Sequence, residues 1–138
     1  KVVALAVLMP IVASMGGNAG TQTLTVSVRA LATKELTPTN AIKIVIKETF
    51  VGGINGIIFA LIVGIISAYW FSDNLLGIII ASAMIINLII AGLVGTLIPI
   101  SLNKMKIDPA LASGVILTTI TDVFGFLSFL GLASIFLI

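Results

Sequence analysis

The chain has 138 residues, of which 59% are hydrophobic and only 9% are charged, and its mean hydropathy is +1.32. A soluble domain needs roughly 25–35% charged residues on its surface, so this composition excludes a soluble enzyme and predicts an all-α integral membrane protein. The absence of Cys and His excludes disulfides, thiol or imidazole catalysis, and metal sites built on those residues. The net charge of +2 comes without a basic cluster, so we expect no nucleic-acid partner.

Polar turn segments divide the chain into four hydrophobic spans, which we predict at roughly 2–32, 40–71, 74–102 and 109–137. Asp108 and Pro109 are typical of the N-cap and the first position of a helix, so the fourth span begins there. The chain is therefore expected to be one transmembrane domain over residues 1–138, a polytopic helical bundle in a lipid bilayer.

The distribution of basic residues predicts the orientation of the spans, because short basic loops stay on the cytoplasmic side. They surround the first and third loops and are missing from the second: Arg29, Lys34, Lys43, Lys47, Lys104 and Lys106. We therefore expect loops 33–40 and 103–108 to be cytoplasmic, and loop 71–74 and the C-terminus to be extracytoplasmic in a cell membrane. Residue 1 would then start outside, which predicts a missing upstream span. A signal peptide is the alternative.

The first span is unusually polar for membrane depth. At about 100° per residue, one helical stripe contains Ser14, Asn18, Gln22, Thr25 and Arg29. We interpret this stripe, together with Gly17 and Thr21, as a wet face that lines or shapes a pore. The alternative is helix packing, with glycines allowing close approach and Asn18 and Gln22 bonding to a neighbouring helix. The pair Gly16-Gly17 could also interrupt the helix.

Asp122 lies near the middle of the fourth span, where no other carboxylate lies. A charged Asp at a helix centre costs roughly 2.5–3.5 kcal/mol to insert, against roughly 4–7 kcal/mol returned by the twelve Val, Ile, Leu and Phe residues between 115 and 135. Insertion is still favourable, but the helix gives no structural reason for this residue, which marks an ion or substrate path. Its predicted companions are Thr118, Thr119, Thr121 and Gly125. The alternative is a carboxylate paired inside the bundle.

Oxygen atoms are the only strong ligands that this chain offers, which favours magnesium over softer metals. One Asp per chain is too few for a divalent cation, so a symmetric homodimer that brings two Asp122 side chains together is expected.

Glu48 follows Lys43 and Lys47, and we consider two roles for it, an interfacial ion pair or a point where cations enter the path. Asn55 and Asn87 are more typical of packing than of ion binding.

Two separated motifs resemble those of MgtE-type magnesium transporters. One is Pro10 followed by Gly16-Gly17-Asn18-Ala19-Gly20-Thr21-Gln22, and the other is Asp108-Pro109-Ala110 followed by Thr118-Thr119-Ile120-Thr121-Asp122. The resemblance runs from the second family span to the fifth. It implies a homodimer of five-helix domains around a central cation pore, with the first helix and the cytoplasmic regulatory domains absent from this chain.

The resemblance also implies roles for individual residues. Asp122 of each subunit would bind the transported Mg²⁺, with Thr118 and Gly114 one and two turns earlier facing the same ion, and Asn18 with its neighbouring glycines would shape the pore helix. One departure is Val115, where family members often have Pro.

The function expected from the sequence is magnesium transport through a dimeric pore, with no organic cofactor and no enzymatic activity. Two alternatives stay open. One is a carrier that exchanges magnesium for sodium or protons, and the other is a membrane anchor or scaffold whose glycine and Asn positions serve only helix packing.

Overall fold

The computed structural model describes the backbone of residues 2–136 and the side chains of residues 3–110 and 114–136. It contains four helices, α1 (Val2–Ala32), α2 (Ala41–Trp70), α3 (Asn74–Lys104) and α4 (Pro109–Phe136). At 1.5 Å per residue each is about 42–47 Å long, which exceeds the roughly 30 Å of hydrocarbon in a bilayer. All four are long and apolar enough to cross a membrane, so the all-α class is confirmed. The predicted end of the last span at residue 137 lies outside the described residues.

Helix α1 continues without a break through Gly16 and Gly17. The expected interruption at this glycine pair is therefore wrong. The helix stays continuous because, in a medium without water, its backbone N–H and C=O groups must form hydrogen bonds within the helix. The glycines serve close packing instead of opening the backbone.

Three helices are each followed, two positions after their last residue, by a residue with left-handed backbone conformation: Lys34, Ser72 and Lys106, with φ of 63°, 53° and 60°. After α2, the Ser72 N–H donates to the Tyr69 carbonyl and the Asp73 N–H donates to the Ala68 carbonyl. The same pattern of hydrogen bonds occurs after the end of α3. This is the Schellman arrangement, which gives partners to the last carbonyls of a helix. The turns are thereby closed without glycine.

Helix α3 is the centre of the bundle. It packs against α1, α2 and α4, and α1 and α4 also pack against each other. Helix α2 packs chiefly on α3, and its Ala60 also belongs to the main buried cluster. The main cluster of buried apolar side chains joins α1, α3 and α4 around Val12, Met84 and Phe129.

The α2–α3 contact is built from small residues. The buried residues of α2 are Gly52, Gly56, Ala60, Gly64 and Ser67. A Cβ atom added at Gly52 would collide with the backbone carbonyl of Leu88, and one added at Gly92 would collide with the carbonyl of Glu48. The two backbones therefore touch directly, which is the packing that association in lipid favours, because apolar side chains gain nothing by leaving lipid for protein.

Asn87 joins α3 to α1 in the middle of the bundle. Its side chain is fully buried and its amide Nδ2 donates a 2.9 Å hydrogen bond to the Val12 carbonyl, while its Oδ1 has no partner. Gly16 and Gly125 make room for this side chain, because a Cβ atom at either would press on its Nδ2. Asn87 thus has the packing role that its sequence context favoured.

We predict that Gly52→Ala destabilises the bundle by about 1–3 kcal/mol, because the added methyl group meets a backbone atom that cannot rotate away. The matched control is Gly131→Ala, since nothing lies within 4 Å of a Cβ atom at that helical position. The control should be neutral or should stabilise by about 0.5–1 kcal/mol. Unfolding titrations in mixed detergent micelles measure both, and equal effects would contradict the close α2–α3 contact.

We also predict that Gly16→Ala and Asn87→Ala are each destabilising but not additive. The first forces Asn87 out of its site, and the second leaves a cavity. In the double variant, the methyl group added at position 16 partly fills that cavity. The double variant should therefore be more stable than the sum of the single effects by about 0.5–3 kcal/mol. Additive effects in a double-mutant cycle would show that the two residues are not in contact.

Candidate functional site

Asp122 lies on α4 at the edge of the buried seam between α1 and α4. Its side chain is half-buried, and within the described part of the chain it has no hydrogen-bond or ion-pair partner. The alternative of a carboxylate paired inside the bundle is therefore not realised in this chain. An unpaired carboxylate in a membrane-spanning helix requires water, a cation or another subunit to complete its surroundings.

One part of the α4 surface before Asp122 faces away from the rest of the chain. Thr118 and Gly114 are exposed, and a Cβ atom at Gly114 would meet nothing within 4 Å. Thr119 is also exposed, and its hydroxyl donates to the Val115 carbonyl of its own helix over 2.8 Å. These three residues and Asp122 thus leave an open surface on one part of α4.

The polar stripe of α1 is exposed along its whole length. All of its members are exposed: Ser14, Asn18, Gln22, Thr25 and Arg29. Asn18 and Gln22 form no hydrogen bond with another helix among the described residues. The opposite face carries the packing, since Gly16 contacts α3 and a Cβ atom at Gly20 would press on the side chain of Leu117 of α4. The packing interpretation therefore applies to the glycine face of this helix, and the wet-face interpretation of the polar stripe stays a prediction.

The threonines of α1 present oxygen atoms outward. The Thr21 hydroxyl donates to the Gly17 carbonyl at 2.7 Å, and the Thr25 hydroxyl donates to the Thr21 carbonyl at 2.8 Å. A hydroxyl whose hydrogen is already donated to a carbonyl of its own helix can only accept further hydrogen bonds, through its lone pairs. The exposed face of α1 is therefore rich in hydrogen-bond acceptors.

The α1 stripe and Asp122 lie at the same level of the bundle. Ala13 packs against Gly125, Gly17 lies beside the Thr121 hydroxyl, and Gly20 packs against Leu117. The two helices therefore run antiparallel. Gly17 and Thr121 face each other across the seam between α1 and α4. Asn18 and Asp122 are the residues that come directly after them in the sequence.

Two residues predicted to line the pore lie on the inner side of α4. Thr121 is fully buried, and its hydroxyl donates to the carbonyls of Leu117 and Thr118. Gly125 is also buried, beside Asn87 and Ala13. Thr121 is only one residue from Asp122 but about 100° away around the helix, which explains the difference. Within one chain they position Asp122 through packing.

A cleft with polar residues in its lining lies between α1 and α2, next to Gly92 of α3. Its volume is about 170 Å³, and Gln22, Thr23, Glu48, Asn55 and Gly92 are among the residues that line it. Glu48 is half-buried and has no ion pair with Lys43 or Lys47 in the described part of the chain. The cleft could not be found from the sequence, because its existence depends on α1 and α2 both packing on α3 with a gap between them.

No group of three or more acidic side chains that could hold a metal occurs within residues 3–110 and 114–136. A single chain therefore offers one deep carboxylate with hydroxyl and carboxamide oxygens nearby. This donor set fits a hard cation that keeps most of its water and is bound through few carboxylates.

Comparison with known proteins shows which family the chain resembles. The profile of the MgtE family, described as a divalent cation transporter, matches residues 9–132. The magnesium transporter MgtE of Bacillus subtilis is 39% identical over 137 residues, which are 99% of this chain and 30% of the relative. That of Enterococcus faecalis is 36% identical over 133 residues, 96% of this chain and 29% of the relative.

A third relative, the magnesium transporter MgtE of Thermus thermophilus, is 35% identical over 137 residues, 99% of this chain. The chain spans about 30% of the length of these relatives. All three are transporters, and none is an enzyme. The resemblance drawn from the two motifs is thereby confirmed, and the chain belongs to the MgtE family of divalent cation transporters.

Proposed function

We propose that two copies of this chain form a pore that conducts Mg²⁺ across the membrane, with the hydrated ion bound between the two Asp122 carboxylates. The observation that carries the proposal is the unpaired, half-buried Asp122 at the level of the exposed polar stripe of α1. The magnesium transporters with which the chain shares 35–39% identity support the choice of ion.

The handedness of the helices supports one common surface for Asp122 and the polar stripe of α1. Because α4 runs antiparallel to α1 and both are right-handed, Asp122 and Thr118 project to the same side of the seam as Asn18 and Gln22. This side is polar along residues 14–29 of α1 and around Thr118 and Asp122 of α4, and this part would be poorly solvated by lipid. A second copy that covers it would enclose a polar path, because a two-fold axis brings identical surfaces together.

The chemistry of the surface suits a hydrated cation. Magnesium gives up its waters reluctantly, and those waters are strong hydrogen-bond donors. The outward lone pairs of Thr21 and Thr25 and the carboxamide oxygens of Asn18 and Gln22 would accept from them. Gly114 leaves space one turn beyond Thr118 for the hydration shell.

The electrostatics of the pair favour a divalent ion. Two carboxylates about 6 Å apart repel each other by roughly 3 kcal/mol at an effective dielectric constant near 20. A divalent cation between them converts this repulsion into attraction, whereas a monovalent ion leaves one negative charge uncompensated. The membrane potential then provides the driving force, at about 2.3 kcal/mol per charge per 100 mV.

The test is Mg²⁺ uptake into liposomes with a clamped membrane potential and no sodium or proton gradient. We expect the protein to take up Mg²⁺ and Asp122→Asn to lose at least nine-tenths of this flux while keeping its helices and its dimer. The matched control is Glu35→Gln, which makes the same change of charge in an exposed loop and should retain full flux.

The outcomes separate the alternatives. Flux that requires a sodium or proton gradient would support an exchanger instead of a pore. Full flux by the folded Asp122→Asn protein would reject Asp122 as the ion site. A folded protein with no flux under any gradient and no bound cation would support the scaffold alternative.

A further inference from the structure

We propose that the cleft between α1, α2 and α3 is a second binding site for a hydrated divalent cation, formed by the Glu48 carboxylate with the Gln22 and Asn55 carboxamides. None of the residues that line the cleft belongs to α4, the helix that carries Asp122. The second site is therefore separate from the one proposed above, although the choice of Mg²⁺ as its ligand rests on the proposed function.

The position of Glu48 is fixed by the backbone. Its carbonyl lies directly against Gly92, at the point where α2 crosses α3. The crossing leaves α2 no freedom to rotate, so the side chain is held at the cleft. Glu48 is the eighth residue of α2, about 10 Å along the helix from Ala41 at 1.5 Å per residue.

The carboxylate has no internal partner. Lys43 and Lys47 project about 140° and 100° away from Glu48 around α2, both are exposed, and neither forms an ion pair with it among the described residues. A half-buried carboxylate in a membrane-spanning helix without a counter-ion is unfavourable. A cation in the cleft supplies the missing charge.

Three further polar residues line the cleft, alongside apolar residues and glycines. Asn55 lies seven residues after Glu48 and so lines the same side of α2 two turns deeper, while Gln22 and Thr23 face them from α1. The Thr23 hydroxyl donates to the Ala19 carbonyl over 3.2 Å, which leaves its lone pairs toward the surroundings. Carboxylate, carboxamide and hydroxyl oxygens are the ligands of hard cations.

The size of the cleft matches a cation with most of its water. One water needs roughly 10–15 Å³ of cavity space, so the cleft, with a volume of about 170 Å³, has room for a cation that keeps several of its waters. A Glu48 oxygen would replace one of them. Gln22 belongs both to the cleft and to the exposed stripe of α1, so the second site opens toward the proposed ion path.

The first test counts bound Mn²⁺ by electron paramagnetic resonance on the protein in lipid nanodiscs, in the Asp122→Asn background. We expect Glu48→Gln in this background to weaken one Mn²⁺ site at least tenfold, and Glu35→Gln to leave it unchanged. Asn55→Leu keeps the Glu48 carboxylate and should weaken the same Mn²⁺ site severalfold. This variant replaces Glu48→Gln in the test if Glu48→Gln does not fold. Mn²⁺ binding that is equal in all these variants would overturn the proposal.

The second test uses the absence of cysteine from this chain. Val26 lines the cleft and is 48% exposed, so a Val26→Cys thiol reports on access to it. Mg²⁺ should slow the reaction of this thiol with a charged methanethiosulfonate at least threefold, and Glu48→Gln should remove the protection. Ser101→Cys at the exposed end of α3 is the control and should be unaffected by Mg²⁺.

The tests separate the two proposals. Normal flux in Asp122→Asn with Glu48-dependent Mn²⁺ binding would reject the proposed central site and keep the second one. Lost flux in Asp122→Asn without any Glu48-dependent binding or protection would keep the central site and overturn the second.

Discussion

The direct contact between the backbones of α2 and α3 is the constraint on which the rest of the structure depends. In lipid, apolar side chains gain nothing by burial against other apolar side chains, so helices associate where their surfaces fit most closely. Gly52 and Gly92 allow that fit, because each faces a carbonyl of the opposite helix. The contact keeps α2 packed chiefly on α3. As a result it fixes Glu48 at the cleft and leaves the polar face of α1 uncovered by its own chain.

The sequence was sufficient to predict the four helices, because loops in water carry polar and turn residues and spans do not. It could not identify which face of each span is buried. Apart from the polar stripe of α1 and the surroundings of Asp122, the spans are apolar on every side, so polarity there does not separate a lipid-facing residue from a core residue. In α2, the buried residues are all small, with Gly52, Gly56, Ala60 and Gly64 four residues apart. That spacing is the signal from which the packing face could have been predicted.

The candidate site was predictable in part for a related reason. Asp122 and the α1 stripe stand out because their polarity contradicts the surrounding hydrophobicity. Thr121 and Gly125 are buried, yet they lie close to Asp122 in the sequence, so composition alone groups them with it. Only the contacts of Gly17 with Thr121 and of Asn87 with Gly125 distinguish the packing side of α4 from its open side. The cleft around Glu48 depends on three helices and has no local signature.

The left-handed lysines at the ends of two helices link orientation to stability. Lys34 follows α1 and Lys106 follows α3, and a cation there interacts favourably with the partial negative charge of a helix C-terminus. The same two charges belong to the basic loops that are expected to hold their side of the protein in the cytoplasm. Each lysine also occupies a backbone conformation that costs a non-glycine residue roughly 1–2 kcal/mol. Glycine at these positions would relax the turns but would remove charge from loops that are expected to orient the spans, so the expected topology and the turn energy oppose each other at the same two residues.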